Sequence, residues 1–296
     1  MERRVKIPLL PAEAMTPEWG SRLAAMPDAD PFGGQPGVQN YFGPSGRWLL
    51  DVALGSLGLE RSDEITILTT SGETYVSTCV SVTAFNHCRI GRAPTASTRA
   101  IILIHEFGYV CDDVVRKIAE WQGRGITVIE DCAHVAGLDV EGAPIGSFGD
   151  FALFSLPKIV PAPSGGLLRT RRRLSLPGMT DDMEEATARG LQAAERYLGK
   201  VAGLNARRLE NAAAIAKHLP SGARAFVPSS VAIPWVFGVL TKRRDAIRAA
   251  IPDVTWGATL RSDLLYVPTN PMIYAAAYRD LFASPAFDDS FRPVTA

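Results

Sequence analysis

Residues 100–130 read AIILIHEFGYVCDDVVRKIAEWQGRGITVIE. Ala100–Ile104 and Gly125–Glu130 are short apolar runs of strand type. Between them, Asp112–Gly123 spaces its apolar residues as a helix does, behind two aspartates fit to cap it. A strand apolar at every position is covered on both faces, and a strand–helix–strand unit of this length makes a right-handed crossover. The unit therefore predicts a mostly parallel sheet between helices. Working outward, Glu64–Thr69, Asp150–Leu156 and Gly165–Thr170 are further strand candidates, and residues 46–59 form a helix starting just after Gly46. Residues 25–47, rich in Gly and Pro around Tyr41–Phe42, read as loop. Residues 181–219 carry one long helical pattern, and 220–296 mix short strands and helices with many prolines. The expected fold class is α/β: a three-layer major domain over 1–175, then a long helix and a small α+β domain over 176–296. There is no internal repeat.

The chain has 296 residues, 31 Lys+Arg against 31 Asp+Glu and 47% hydrophobic residues. Zero formal charge gives no support for a nucleic-acid or anionic-membrane surface. Cys79, Cys88, Cys111 and Cys132 are too far apart for a CxxC zinc site and too few for a disulfide scaffold, so free thiols in a reducing compartment are expected. The start, MERRVKIPLLPAEAM, is interrupted by Pro8 and Pro11 and lacks a signal-peptide core. Val231–Leu240, the best apolar run, contains Pro234 and is too short to span a bilayer. A soluble, cytoplasmic protein is expected.

Three clusters can carry chemistry. Glu130-Asp131-Cys132-Ala133-His134 lies at a strand's carboxyl end, where parallel sheets bind ligands. Asp131 there can act as a base, bind a metal or hold a cationic nitrogen. A metal reading enlists Asp131, His134, His105 and Glu106, but lacks a closed motif such as HExxH. Phe154-Ser155-Leu156-Pro157-Lys158 follows another strand. Alone, Lys158 reads as a surface turn lysine; buried, its amine becomes a nucleophile toward carbonyls. A Schiff-base lysine together with a strand-end aspartate meets the requirements of pyridoxal phosphate chemistry. Ser45-Gly46-Arg47 opens the first helix, where free amides, the helix dipole and a guanidinium suit a phosphate. The basic run Arg169, Arg171, Arg172 and Arg173 reads as a phosphate site or, more simply, a solvated linker.

Ile129–Ser155 (IEDCAHVAGLDVEGAPIGSFGDFALFS) resembles the DegT-type sugar aminotransferases, fold-type I pyridoxal phosphate enzymes, through its Glu-Asp-x-Ala-His strand end, Gly-Ser-Phe-Gly-Asp turn and Phe-Ser strand. Ile104–Asp112 (IHEFGYVCD) is similar to the preceding family strand, Gly46–Gly58 to its phosphate-binding helix and Glu64–Thr69 to the next strand. The resemblance covers most of 43–170 and is specific over 101–168. It implies that Asp131 keeps the pyridine nitrogen protonated, His134 lies against the ring, Ser155 with Ser45, Gly46 and Arg47 holds the phosphate, and Lys158 forms the Schiff base and moves the proton. No metal is implied. It further implies a homodimer and amino transfer between an amino-acid donor and a small keto substrate, a keto-sugar among the candidates. Other pyridoxal chemistry (elimination or decarboxylation) and a degenerate, non-catalytic member are the alternatives, and His134 as a structural histidine is another. Three departures stand out. Lys158 follows Ser155 by three positions where the family usually has five, Arg47-Trp48 stands where it has Thr-Ala, and its ring-stacking aromatic is missing near Ser71-Gly72-Glu73, with Tyr75 the nearest. The family's partner-chain Asn is also not evident.

Overall fold

A computed structural model describes residues 6–72, 77–257 and 261–287. The family-aromatic position at Glu73 and Tyr75 lies outside the described residues. In chain order the principal elements are α1 (Pro17–Ala25), β1 (Gln39–Gly43), α2 (Gly46–Gly55), β2 (Glu64–Thr69), α3 (Thr78–His87), β3 (Arg89–Gly91), β4 (Thr98–Ile104), α4 (Val114–Gly123) and β5 (Thr127–Asp131). A two-strand hairpin follows, β6 (Asp139–Val140) and β7 (Ala143–Pro144), then β8 (Phe151–Ser155), α5 (Leu156–Ile159), β9 (Gly166–Thr170), α6 (Asp181–Tyr197) and α7 (Val201–Lys217). The chain continues through β10 (Arg224–Phe226), β11 (Val236–Leu240), α8 (Arg244–Ala250), β12 (Leu264–Pro268) and α9 (Ala275–Phe282).

The main sheet has the order β1-β9-β8-β5-β4-β2-β3. From β3 to β8 the neighbours are parallel; β9 alone runs against them, and the edge strand β1 pairs antiparallel with β9. The apolar run of β4 serves both faces by simple alternation. Ile101 and Leu103 join one buried cluster with Trp19, Val114, Ile118 and Phe154. Ala100, Ile102 and Ile104 join the other, with Leu49, Leu50, Val80 and Ile129. This is the two-sided burial that a continuous apolar strand requires. A second sheet, β10-β11-β12, is antiparallel and packs with Ile215 of α7 and Tyr278 and Leu281 of α9 in a third cluster that also takes in Ile7.

Three expectations need correction. Part of the expected loop 25–47 is strand β1, whose Tyr41 pairs with Leu168; its ladder partner is remote in sequence, so local pattern does not announce it. The single helical pattern over 181–219 is two helices, broken by a tight turn at Leu198–Lys200. There the Lys200 ammonium bonds the Met26 carbonyl and pairs with Asp28 at 3.0 Å. The basic run is not one linker: Arg169 lies within β9 and is 6% exposed, and only Arg171–Arg173 project beyond the strand. All four cysteines are free, and no helix among the described residues is long and apolar enough to cross a membrane.

Candidate active site

The carboxyl ends of β4, β5 and β8 and the start of β9 converge on one edge of the sheet. Asp131 ends β5 and Ser155 ends β8, which passes directly into the short helix α5 carrying Lys158. Gly165, at φ 100°, lets the returning chain turn back; an added Cβ there would come within 2.9 Å of the Gly190 backbone. Its neighbour Gly166 abuts the N-terminus of α2, where a Cβ would lie 2.6 Å from the Gly46 nitrogen. Ser45 caps α2, its hydroxyl accepting from the Trp48 amide at 3.2 Å. A cavity of about 310 Å³ is thereby lined by Ser45, Gly46, Arg47, Asp131, His134, Ser155 and Lys158. These seven residues, which the family resemblance groups around a cofactor, face this one cavity, whereas His105, Glu106 and Arg169 do not line it.

Within it, Lys158 Nζ stands 3.1 Å from His134 Nε2 and 5.2 Å from the centroid of Trp235. The His134 ring stacks on Trp235 at 4.7 Å. Burial lowers the Lys158 amine below its usual range, with Asp131 opposing. Burial, with Lys158 assisting, holds His134 well below its ordinary value, which favours the neutral imidazole in its hydrogen bond with the lysine amine. Burial raises the Asp131 carboxyl, while Lys158 and the Ala133 amide at 3.0 Å favour its anion. A buried carboxylate and a partly desolvated amine thus sustain each other's charge.

Several contributors escaped the sequence reading. Arg208 of α7, 2% exposed, donates to the carbonyls of Lys158 and Ile159 at 2.9 Å each, anchoring α5. Trp235 sits in the apolar run considered above only as a membrane candidate. It is delivered by the turn at Phe107–Gly108: Gly108, at φ 91°, has no room for a Cβ, which would lie 2.1 Å from the Ile233 carbonyl. That approach allows Trp235 N to donate to Phe107 O at 2.8 Å. Cys79 of α3 also lines the cavity, with Arg47 Nη2 2.6 Å from its sulfur. No short motif marks any of these residues, because each reaches the site from a distant element.

The metal grouping is corrected. Glu106 accepts from Ser71 and Tyr266, and His134 is engaged by Lys158. The set that converges among the described residues is instead His105, Glu130 and Cys132. Two of its three residues are engaged by backbone amides, and His105 Nε2 stands 3.6 Å from the Glu130 carboxylate. His105 Nδ1 accepts the Cys111 amide at 3.3 Å, and the Glu130 carboxylate accepts the amides of Gly146, Phe148 and Gly149.

Residues 75–219 match the model of the DegT/DnrJ/EryC1/StrS aminotransferase family. This segment is DegT-family sequence. The resemblance read from the EDCAH and GSFGD motifs is borne out there. Among relatives of this DegT segment, the chain is 29% identical over 190 residues to a GDP-perosamine synthase of Escherichia coli O157:H7, covering 58% of this chain and 50% of that protein. It is 31% identical over 137 residues to the L-glutamine:scyllo-inosose aminotransferase of Streptomyces griseus, covering 41% of this chain and 32% of that one. The chain spans about half the length of the first curated relatives it matches. The fold itself extends further: the structure of the aminotransferase TlmJ from Streptoalloteichus hindustanus superposes with a TM-score of 0.70 at 16% identity, over 95% of this chain and 97% of that one. The mixed α/β architecture with its mostly parallel sheet is that of the fold-type I enzymes.

Proposed function

We propose that this chain is a pyridoxal phosphate-dependent aminotransferase that moves an amino group between an amino acid and a keto substrate, a keto-sugar or keto-cyclitol. One observation carries the reading: a buried aspartate, a desolvated lysine and the N-terminus of α2 face a single cavity of about 310 Å³. The donor set fits the cofactor. The N-terminus of α2, with Ser155 and the Arg47 guanidinium, suits its phosphate, and Asp131 suits its ring nitrogen. Bound there, pyridoxal phosphate supplies an electron sink for the bonds of a substrate amine's α-carbon.

The chain's own residues do the rest. Asp131 holds a proton on the ring nitrogen, because an adjacent anion favours the charged form. Lys158 would hold the cofactor through its amine and would carry a proton to and from the substrate carbon. Neutral His134, fixed by Trp235, hydrogen-bonds Lys158 and keeps that amine directed into the cavity. Trp235 and Phe107 wall off water behind His134. We take residues 1–175 as the cofactor-binding unit and 176–296 as the companion unit, joined into a cytoplasmic homodimer. The exposed apolar pair Val82 and Phe85 on α3, whose first turn lines the cavity, supports the dimer.

The test is borohydride reduction of the protein loaded with pyridoxal phosphate, followed by peptide mapping and an amino-transfer assay with L-glutamine or L-glutamate as donor. The pyridoxyl group is expected on Lys158, with turnover lost in Lys158→Ala. A label on Lys200 or Lys217, or none, rejects the assignment.

A further inference from the structure

A second cavity, of about 210 Å³, lies at the opposite end of the main sheet. It is lined by Gln35, Gln122, Ser147, Asp150, Arg169 and Arg172, with Arg171 at its edge. Arg169 lies across the antiparallel ladder from Ala152, and β5, β8 and β9 each span the two ends with five residues, β5 and β8 running toward the cofactor end and β9 away from it. At about 3.3 Å per residue the two cavities are separated by roughly 13 Å of strand.

Arg169 is the unusual element. Its guanidinium lies 4.3 Å over the Phe32 ring, and Nε donates to Asn40 Oδ1 at 3.1 Å. Nη1 is shut off from solvent with no hydrogen-bond partner, and Arg169 forms no ion pair among the described residues. Burying a guanidinium without a counter-charge is unfavourable. The acids nearby are already engaged. Asp30 accepts the amides of Phe32 and Gly34 at 2.8 and 2.7 Å. Asp150 accepts the Val128 amide at 2.9 Å and pairs with Arg172 at 3.4 Å. Across the cavity wall the Ser147 hydroxyl is likewise enclosed and without a partner. Three guanidiniums against one spoken-for carboxylate, beside an idle hydroxyl donor, make an anion cradle.

We propose that this cavity binds a small phosphate-type oxyanion, with Arg169 and Ser147 as its ligands and Arg171 at the mouth. The cavity is smaller than the roughly 300 Å³ at which drug-sized pockets begin. That size admits free phosphate or the phosphate end of a sugar monophosphate and leaves no room for an enclosed nucleotide. The inference does not depend on the reaction proposed above.

Calorimetric titration with inorganic phosphate and, separately, with a hexose phosphate tests it, on wild type, Arg47→Ala, Arg169→Gln and Ser147→Ala. Arg47→Ala reports on any phosphate entering the cofactor cavity instead. Expected is millimolar-range binding that survives in Arg47→Ala, weakens about 10- to 100-fold in Arg169→Gln and about 2- to 10-fold in Ser147→Ala. Tighter binding of the hexose phosphate identifies a monoester, and equal binding identifies the free anion. If Arg169→Gln does not fold, Ser147→Ala, which removes one hydroxyl and leaves the guanidinium, decides alone. The proposal is overturned if wild type takes up no phosphate, if binding is lost in Arg47→Ala, or if Ser147→Ala binds as wild type does.

Discussion

At the scale of single residues, the site is governed by what burial does to Lys158 and Asp131. Burial lowers the lysine amine, and Asp131 is the group that opposes this. In the cofactor-free protein, reductive labelling of Lys158 should therefore show a pH midpoint below the ordinary lysine value of about 10.4. Asp131→Asn removes the anion that holds the ammonium form, so the midpoint should move further down. A midpoint unchanged or raised in Asp131→Asn contradicts this coupling. The same variant should lose orders of magnitude in turnover while retaining cofactor, and survival of activity to within about threefold would remove Asp131 from the electron-sink role. Asp131, Lys158 and His134 were legible in the sequence because each follows directly on an apolar strand, and a strand's carboxyl end has a fixed place in a parallel sheet. Arg208 and Trp235 were not. What brings them to Lys158 is the packing of α7 and the 231–235 segment, which no local period encodes.

At the scale of elements, the site depends on two couplings between distant segments. Gly108 admits the Ile233 carbonyl where a Cβ would stand, at a φ that side chains rarely adopt. Gly108→Ala should cost at least about 1–3 kcal/mol of unfolding free energy by urea titration. It should also shift the fluorescence of Trp235, and a variant as stable as wild type would mean that the 105–109 turn relaxes freely. Arg208 stitches α7 to α5 by two charge-assisted bonds. Arg208→Met leaves both carbonyls short of a donor and should cost about 1.5–3 kcal/mol. Because it loosens α5 and admits water to Lys158, it should also raise the midpoint of Lys158 labelling toward the ordinary lysine value. If stability and labelling are both unchanged, α5 is held by its apolar residues alone. The expected strands and α4 matched the structure because each shows a strong local period. β1 was missed because it is an edge strand whose identity comes from pairing with β9. The split between α6 and α7 was missed because helical periodicity runs through both, leaving Gly199 as the lone local signal.

At the scale of the whole molecule, α3 turns its first turn toward the cavity and leaves Val82 and Phe85 outward, 61% and 64% exposed. In the proposed homodimer this face is covered. Sedimentation should give a dimer mass for wild type, and Phe85→Glu should shift it toward monomer with a fold intact by circular dichroism. A monomeric wild type at working concentration refutes the dimer. The α/β class was readable from one strand–helix–strand unit, since two-sided burial is written into the Ala100–Ile104 run of β4. The C-terminal sheet was only outlined, its strands being short and punctuated by proline.

One contact spans nearly the entire chain. Ile7, fully enclosed in the C-terminal cluster, bridges to Val254, and the Asn270 amide donates to the carbonyls of Pro8 and Leu10. During translation, at about 5–20 residues per second, the ribosome needs roughly 12–50 s to pass from Ile7 to Val254. Over that interval the apolar Ile7-Pro8-Leu9-Leu10 segment has no docking surface and is open to holdase chaperones. Its seating therefore waits on the C-terminal third of the chain, whose Val254, Leu265, Tyr278 and Phe287 share its cluster.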